Sequence, residues 1–431
     1  MILLLLKSHV LWTDGVKTVY LDEVTWIVAG LATAWLAGFL VSRYRRLRKL
    51  RRPPRRNSFK LPKRIIRVKR DLSSRYLRPG FSGNIHAVGI GKLGSSNKYC
   101  IQVFISDATE KFWQGTGTLP NSYRGVPVVP IEMPRAGFLT TPASGPTAAP
   151  DLFPNGIREH REIIVGGISG ANANLSGQSG TIGYFCTRRS KLRRRKEIYL
   201  LSNSHVFADL RKVAVDETDL IMQPSPGEPA NNRPIATLVN FSAVKFAGGI
   251  NAPNHVDAAI AKLWNPQPHS PVIPLIGAIK GYVKKGDIEV GEPVRKFGRT
   301  TGYTEGRIIS TMVDIWIQYD RTGQAAFFQN QVLIEPAPRF AKFVAKGDSG
   351  SLVVDEKQHA IGLIFAGTAE LPKVQVNLPK PVAAGKPVAV GKPVAPPAKP
   401  GPTAKPQKIT GYGVTTPISE VLDRLKIDLL V

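Results

Sequence analysis

The most constraining feature of this 431-residue chain is a serine with a glycine close on either side, just before a short apolar run. Residues 347–351 read Gly-Asp-Ser-Gly-Ser, and residues 352–354 read Leu-Val-Val. Gly347 and Gly350, two residues before and one after Ser349, permit a tight turn that points the hydroxyl away from the strand that follows. The amides of Gly347 and Ser349 then face the space beside that hydroxyl, where an oxyanion is stabilised. The pattern predicts a nucleophilic serine with its own oxyanion hole.

One of the seven histidines stands where a strand pattern gives way to small polar residues. Residues 198–202 read Ile-Tyr-Leu-Leu-Ser, which predicts a buried strand, and Asn-Ser-His-Val-Phe follows at residues 203–207. A histidine in that position is held at the edge of a cleft. We therefore predict that His205 is the base that takes the proton of Ser349.

A carboxylate enters an apolar strand at residues 256–263, which read Val-Asp-Ala-Ala-Ile-Ala-Lys-Leu. Asp257 must find a donor there, because an unpaired buried charge is costly. An imidazole N–H is the donor that this chemistry needs, since the carboxylate then fixes the histidine tautomer and stabilises its protonated form. His255 and Asp209 are weaker rivals. His255 lies in a polar approach to the strand, and Asp209 follows His205 too closely along the chain.

The order His205, Asp257, Ser349, with each residue at its own strand, resembles that of the chymotrypsin/trypsin-like serine peptidases. The segments Leu-Ser-Asn-Ser-His-Val, Val-Asp-Ala-Ala-Ile-Ala, Gly-Arg-Thr-Thr-Gly and Gly-Asp-Ser-Gly-Ser look most like those of bacterial trypsin-like peptidases. The resemblance covers residues 164–431. It implies a mostly β fold, a double six-stranded antiparallel β-barrel with the triad between the barrels. It also implies a serine endopeptidase whose substrate is a protein or peptide.

The same resemblance implies where a substrate would lie. Phe343 precedes the serine at the base of the primary pocket, and Val344 follows it, so no acidic group is available to receive an Arg or Lys side chain. Phe365, Ala366 and Gly367 lie on the strand that pairs with the substrate main chain. We expect an apolar or small residue before the cleaved bond, or a pocket that Phe343 partly fills.

One departure from the family concerns activation. Ile-Val-Gly-Gly at residues 164–167 resembles the amino terminus that trypsin-like zymogens release by cleavage. Glu162 and Ile163 separate it from Arg161, so a cleavage site of that kind is absent. We therefore expect Asp348 either to find another partner or to shape its loop without one.

The net charge of +28 at pH 7 predicts attraction to polyanions. After an N-terminal segment, residues 1–23, the uncharged residues 24–42 are long enough, at about 29 Å as a helix, to cross a bilayer. The alternative is a buried amphipathic helix, but little polar face is evident. Nine Lys and Arg follow within residues 43–56. They place that flank in the cytoplasm and predict a single-pass membrane protein whose catalytic domain faces the cytoplasm.

Residues 43–56 are expected to bind anionic lipid beside the anchor. Nucleic acid is the sharper alternative partner for these residues. Little aromatic interleaving and no recognition fold accompany the charge, which argues against that alternative.

The remaining organisation follows from changes of composition. A basic juxtamembrane connector is expected at residues 43–72, a small α+β module at residues 73–145, and a Pro/Gly/Ala-rich linker at residues 146–163. The peptidase domain follows at residues 164–431. Within it, the Pro/Lys/Ala-rich residues 371–408 are expected to form a disordered insertion, because such a composition cannot bury a core.

The two cysteines, Cys100 and Cys186, fall in different predicted domains. Because they are the only two cysteines and fall in different domains, we expect a reducing compartment. Neither has the spacing of a metal ligand, so we expect both to be core residues. The sequence contains no phosphate-binding loop, zinc-binding helix motif or Cys-x-x-Cys pair, and it predicts neither a cofactor nor a metal.

A second interpretation comes from another functional class. Phe343, the missing activation site and the basic segments also fit a catalytically silent peptidase-like scaffold that binds an anionic lipid, nucleic acid or acidic protein. An intact set of His205, Asp257 and Ser349 favours the enzyme.

Overall fold

The computed structural model describes most of residues 61–368 together with a few shorter segments. The described residues are 10–14, 17–20, 61–77, 83–94, 96–107, 119–138, 156–175, 177–189, 197–210, 214–228, 231–246, 248–319, 324–368, 407–408 and 411–431. The chain divides into two compact units, residues 1–55 and residues 56–431. In the first unit, strands β1 (Val10–Asp14) and β2 (Lys17–Tyr20) pair as an antiparallel hairpin.

Several sequence predictions fall on residues outside these ranges. They are the membrane anchor at 24–42, the basic run at 43–56, most of the linker at 146–163 and nearly all of the insertion at 371–408. Among the helices that the structure describes, none combines the length and apolar character needed to cross a membrane.

The second unit is mostly β, which confirms that part of the predicted fold class. Its described α-helices are α1 (Lys63–Tyr76), α2 (Ser204–Phe207) and α3 (Ile418–Leu425), and short 3-10 helices occur at Gly249–Asn251 and Lys285–Asp287. The described strands, numbered on from the hairpin, are β3 (Ile85–Lys92), β4 (Tyr99–Ile105), β5 (Ser122–Tyr123), β6 (Val126–Glu132), β7 (Ala136–Phe138), β8 (Ala171–Asn172), β9 (Tyr184–Arg188), β10 (Tyr199–Ser202), β11 (Leu220–Gln223), β12 (Arg233–Phe241), β13 (Ala259–Leu263), β14 (Val272–Ile273), β15 (Gly277–Ala278), β16 (Gly281–Tyr282), β17 (Pro293–Gly298), β18 (Gly302–Gln318), β19 (Ala325–Pro336), β20 (Leu352–Asp355), β21 (His359–Thr368), β22 (Gln407–Lys408), β23 (Gly413–Pro417) and β24 (Ile427–Leu429).

Six strands form a first ring. The antiparallel order is β9-β10-β13-β12-β11-β8, and β24 adds to the outer side of β9. The ring closes where the chain before β8 meets the chain before β9. Gly167 N–H donates to the Ile182 carbonyl at 2.7 Å, and Gly170 N–H donates to the Gly180 carbonyl at 3.1 Å. A continuous apolar core fills this half of the unit.

A second ring follows along the chain. Strand β17 pairs with β20, and the order continues through β21, β23, β19 and β18 before β18 returns to β17. All six pairings are antiparallel. Apolar side chains from these strands and from the loop before Ser349 fill its core. They include Val294, Ile308, Ile334, Phe343, Val353 and Ile364.

Strands from the N-terminal part of the unit extend the second ring. Strand β3 pairs with β18, and β4, β6 and β22 follow in order. Helix α1 packs on this extension through side chains spaced about one turn apart, Val68, Leu72 and Tyr76. It begins ten residues before the predicted α+β module, so the boundary that the sequence placed between residues 72 and 73 falls inside a helix. Basic residues between the apolar positions had masked its buried face.

Strand β7 pairs with β18 on one side and with β21 on the other. It runs parallel to β18 and antiparallel to β21, with Phe138 opposite Ala366. The residues before it are tied to other strands. His86 Nε2 donates to the Met133 carbonyl at 2.9 Å, and the Tyr412 hydroxyl donates to the Pro134 carbonyl at 2.5 Å. These bonds fix where β7 begins.

The His86 contact predicts a pH dependence of stability. Complete burial, aided by the nearby Arg135 charge, lowers the pKa of His86 to about 3. The unfolded chain, whose histidine pKa is about 6.5, therefore binds a proton between these values that the folded chain does not. The titration of His86 therefore leaves the stability of the folded state intact above pH 6.5 and lowers it as the pH falls toward 3.

We expect the folded state to lose about 2 kcal/mol from His86 between pH 7 and pH 5. Urea unfolding of the wild type and of His86→Gln at both pH values measures the difference. The glutamine amide can keep the bond to Met133 without titrating, so the variant should lose about 2 kcal/mol less than the wild type. An identical loss in both proteins would contradict this assignment.

Candidate active site

Paired strands of the first ring bring His205 and Asp257 together. Strands β10 and β13 are antiparallel with Ser202 opposite Ala259, so the end of one strand meets the beginning of the other. His205 lies in the short helix α2 just after β10, and Asp257 lies just before β13. His205 Nδ1 and Asp257 Oδ2 are 2.5 Å apart, and both side chains are buried.

The carboxylate of Asp257 is held from several sides. Its Oδ1 accepts the backbone N–H of Ser204 at 2.7 Å and that of His205 at 3.3 Å. Its Oδ2 accepts the Tyr319 hydroxyl at 3.4 Å in addition to the imidazole. The Asn203 amide donates to the Asp257 carbonyl at 2.7 Å. These bonds satisfy a charge that is fully buried and orient it toward the histidine ring.

The turn that carries Ser349 joins the second ring to the first. Gly347 and Gly350 both have φ of +96°, a conformation that favours glycine. The Thr181 N–H donates to the Ser349 carbonyl at 2.8 Å, and the Thr181 hydroxyl donates to the Gly347 carbonyl at 2.8 Å. A side chain at Gly350 would collide with Thr181 and Ser202, so only glycine allows this approach.

The nucleophile and the base do not bond to each other in this structure. The Ser349 hydroxyl donates to the Phe365 carbonyl at 3.3 Å and is fully buried. His205 Nε2 is also buried and has no hydrogen-bond partner among the described residues. Phe138 lies over the imidazole, with ring centroids 4.3 Å apart, and its ring centroid is 6.3 Å from that of Phe365. Phe138 thus lies close to both His205 and Phe365, the residue whose carbonyl accepts the Ser349 hydroxyl.

The amides predicted to form the oxyanion hole are those of Gly347 and Ser349. Within the part of the chain that the structure describes, neither amide donates a hydrogen bond to the protein. Their neighbours in the turn do, since Asp348 N–H donates to the Ala345 carbonyl and Gly350 N–H donates to the Ile364 carbonyl. The turn thus leaves free the two donors that the sequence assigned to an oxyanion.

Asp348 pairs with Lys296, a partner that the sequence analysis did not identify. The Lys296 ammonium lies 3.1 Å from Asp348 Oδ2, and both side chains are fully buried. Asp348 also accepts bonds from the Thr301 hydroxyl at 2.7 Å and from the N–H groups of Thr300 and Ala345 at 2.8 and 2.9 Å. Burial alone would raise the pKa of Asp348, but the Lys296 charge and these donors together lower it.

The segment that resembles a zymogen amino terminus has a different role. Ile164 is buried in the core of the first ring, and its N–H donates to the Pro268 carbonyl at 3.0 Å. Its amide is thus engaged within the first ring, while Lys296 supplies the buried cation beside Asp348. This agrees with the absence of a cleavage site after Arg161.

The predicted pocket residues are buried in this structure. Phe343 and Val344 belong to the core of the second ring, where the Phe343 carbonyl accepts the Thr304 hydroxyl at 2.7 Å. Phe365 and Ala366 lie on β21 beside Phe138, and Gly367 follows them on the same strand. Their part in a substrate pocket stays a prediction.

Three residues of the site were missed from the sequence. Lys296 had a readable signal, since it occupies an inward position in the alternation of strand β17, where a charge needs a partner. Tyr319 follows a long apolar strand and carries no signal of its own. Phe138 is distant in sequence from every other site residue, and only the folded chain brings it there.

Other reactive groups in the described residues stand apart from this constellation. His359 and Asp355 form a second His–Asp pair at 3.1 Å.

No group of three or more His, Cys, Asp or Glu side chains suited to a metal occurs in the described ranges. Cys100 and Cys186 are free and buried, and burial raises the pKa of the Cys100 thiol to about 11.

Comparison with solved structures returns chymotrypsin-like serine proteases. Thermobifida fusca Protease A is 14% identical and covers 62% of this chain and 99% of its own, with a TM-score of 0.36. A glutamic acid specific serine protease is 14% identical, covers 62% and 100%, and has a TM-score of 0.36. Cellulomonas bogoriensis chymotrypsin is 12% identical, covers 62% and 98%, and has a TM-score of 0.35. Neither protein-family models nor curated proteins give a match.

We expect Lys296→Met to lower the free energy of unfolding by about 3–5 kcal/mol, because Asp348 becomes an unpaired buried charge. Urea unfolding measures this loss. Lys262→Met is the matched control, since Lys262 pairs with Glu197 at 2.6 Å while both side chains are about half exposed. Loss of this exposed pair should lower the free energy of unfolding by at most about 1 kcal/mol. Equal losses in the two variants would refute a structural role for the Lys296 pair.

The Tyr319 hydroxyl should tune the His205–Asp257 contact. Tyr319→Phe keeps the ring packed against Phe138 and Phe246 but removes one donor to Asp257. We expect the NMR resonance of the His205 Nδ1 proton to shift, and stability to fall by about 0.5–1.5 kcal/mol. In the control Tyr303→Phe, which loses a bond to Glu305 at 2.6 Å, the His205 resonance should not move. An unmoved resonance in Tyr319→Phe would rule the contact out.

Proposed function

We propose that this chain is a serine endopeptidase that cleaves peptide bonds through Ser349, His205 and Asp257. The observation that carries the proposal is the buried His205–Asp257 contact at 2.5 Å, which leaves Nε2 as the unbonded nitrogen of the imidazole. The carboxylate accepts the Nδ1 proton, so Nε2 bears the lone pair that a general base needs. The Ser349 turn lies against the same end of the first ring.

The proposed reaction gives each of these residues a step. A rotation of the Ser349 side chain from the Phe365 carbonyl toward Nε2 aligns the hydroxyl with its base. His205 takes the hydroxyl proton while Oγ attacks the substrate carbonyl. The resulting oxyanion accepts bonds from the Gly347 and Ser349 amides. His205 then gives its proton to the leaving amine, and an acyl-enzyme forms on Ser349. Water repeats the sequence with His205 as base and releases the acid product.

The proposed substrate is a protein or peptide. Phe343 and Val344 supply no acidic group near the predicted pocket, so an apolar or small residue is proposed before the cleaved bond. Membrane attachment through residues 24–42, lipid contact through residues 43–56 and an active site facing the cytoplasm remain predictions from the sequence.

The test is labelling of the full chain by a fluorophosphonate probe. We expect one labelled serine in the wild type and loss of labelling by at least a hundredfold in Ser349→Ala and in His205→Ala, because nucleophile and base act as a unit. His359→Ala is the matched control for histidine, since it removes a second His–Asp pair found among the described residues. It should label like the wild type.

Absence of labelling in both the folded wild type and folded Phe138→Ala, which lacks the ring over His205, would contradict the peptidase proposal and support a silent scaffold. Folding is checked by urea unfolding of the same samples. Labelling that survives Ser349→Ala would assign the nucleophile to another residue.

A further inference from the structure

The edge of β21 next to Ser349 is occupied by the chain's own strand β7. Ala136, Gly137 and Phe138 lie antiparallel to residues 366–368 of β21, with Phe138 opposite Ala366. The residue before Ala366 is Phe365, whose carbonyl accepts the Ser349 hydroxyl. Strand β7 therefore runs along β21 toward the nucleophile, as an extended peptide added to a sheet edge would.

The Phe138 side chain covers the proposed base. Its ring centroid is 4.3 Å from that of His205, and the rings are tilted by 45°. Phe138 is 6% exposed, His205 is 4% exposed and Ser349 is 0% exposed. The chain thus places an aromatic side chain on the imidazole and an extended backbone on β21, the two contacts that a bound peptide would make.

Strand β7 is held from outside the site. Met133 N–H donates to the Ile105 carbonyl at 2.8 Å on β4, and the Met133 carbonyl accepts His86 Nε2 on β3. The Arg135 guanidinium bonds the Gly83 carbonyl. On its other side β7 pairs with Ile317 and Gln318 of β18. These contacts remain available when β7 separates from β21 alone.

We propose that β7 is a built-in occupant of the peptide-pairing edge of β21, which an external substrate must displace. The proposal rests on the peptidase function of Ser349. A tethered segment competes at an effective concentration that reaches millimolar for short connections, so a dilute external peptide is at a disadvantage. The apparent affinity of the external peptide equals its intrinsic affinity multiplied by the fraction of molecules in which β7 has left the edge.

The same geometry names the preferred peptide. The position that contacts His205 accepts an aromatic side chain, because Phe138 fills it. The positions opposite Gly367 and Thr368 are filled by Gly137 and Ala136, so they accept small side chains. A peptide that begins Ala-Gly-Phe, the sequence of residues 136–138, is therefore matched to this edge. Leucine at the reactive end of an Ala-Gly-Phe-Leu reagent supplies the apolar residue proposed before the cleaved bond.

The first experiment compares two reagents on the full-length protein. A small alkyl fluorophosphonate needs only Ser349 activated by His205, whereas an Ala-Gly-Phe-Leu diphenyl phosphonate must also pair with β21. We expect Phe138→Ala to raise the labelling rate of the peptide reagent at least tenfold more than it raises that of the small reagent. Phe340→Ala is the matched control, because its ring contacts Tyr303 and Arg339 and not the proposed site. It should change neither rate.

A second measurement needs no substitution and so covers a failure of Phe138→Ala to fold. Hydrogen exchange of the wild type is followed before and after each adduct forms. The peptide adduct should release the protection of those amides of residues 136–138 that bond β21, while amides that bond β18 and those of β6 stay protected. The small adduct should leave all of these amides protected.

The outcomes separate this proposal from the one on which it rests. Labelling of the wild type by both reagents, with no selective gain in Phe138→Ala or with the β21-bonded amides of β7 still protected in the peptide adduct, would overturn the built-in occupant and leave the peptidase standing. Failure of both reagents to label both the wild type and folded Phe138→Ala would overturn the peptidase and the occupant together.

Discussion

The buried ion pair of Lys296 and Asp348 is the interaction on which the candidate site depends. Two charges withdrawn from water are tolerated only when attraction and further donors replace their hydration. Here the Thr301 hydroxyl and the N–H groups of Thr300 and Ala345 complete that replacement. Because Asp348 lies between Gly347 and Ser349, the pair also fixes the conformation of both proposed oxyanion donors. A lysine internal to strand β17 does this in the intact chain, so no new amino terminus is required.

The other half of the site follows from strand register. The pairing of Ser202 with Ala259 sets His205 and Asp257 at one end of the first ring, and a shift by one residue would turn one of them away. The Ser349 turn reaches that end because Thr181 bonds both Gly347 and Ser349. A second buried pair, Arg299 with Glu228 at 2.5 Å, joins the loop beside Asp348 to the first ring. The relative placement of base and nucleophile therefore rests on polar contacts that tolerate little displacement.

The sequence alone predicted those elements whose pattern lies within a few neighbouring residues. The apolar runs around Ile260 and Leu200, and the glycines around Ser349, predicted strands and a turn that the structure contains. The sequence was insufficient where long-range pairing decides the outcome. Basic residues in α1 masked its buried face, and nothing near Phe138 indicated that β7 would pair with a strand more than two hundred residues later. Such pairings depend on the whole sheet, so no local pattern encodes them.

The extension of the second ring determines how β7 could leave the site. Strands β3, β4 and β6 continue the sheet from β18, and helix α1 covers them with its apolar face. Movement of that whole region would break the β3–β18 ladder and expose its core, which costs far more than separating three residues from one edge. The bonds at Met133 lie upstream of β7 and do not involve β21. Release is therefore a local event at residues 136–138, and a peptide that pairs with β21 must provide enough free energy to separate that short strand.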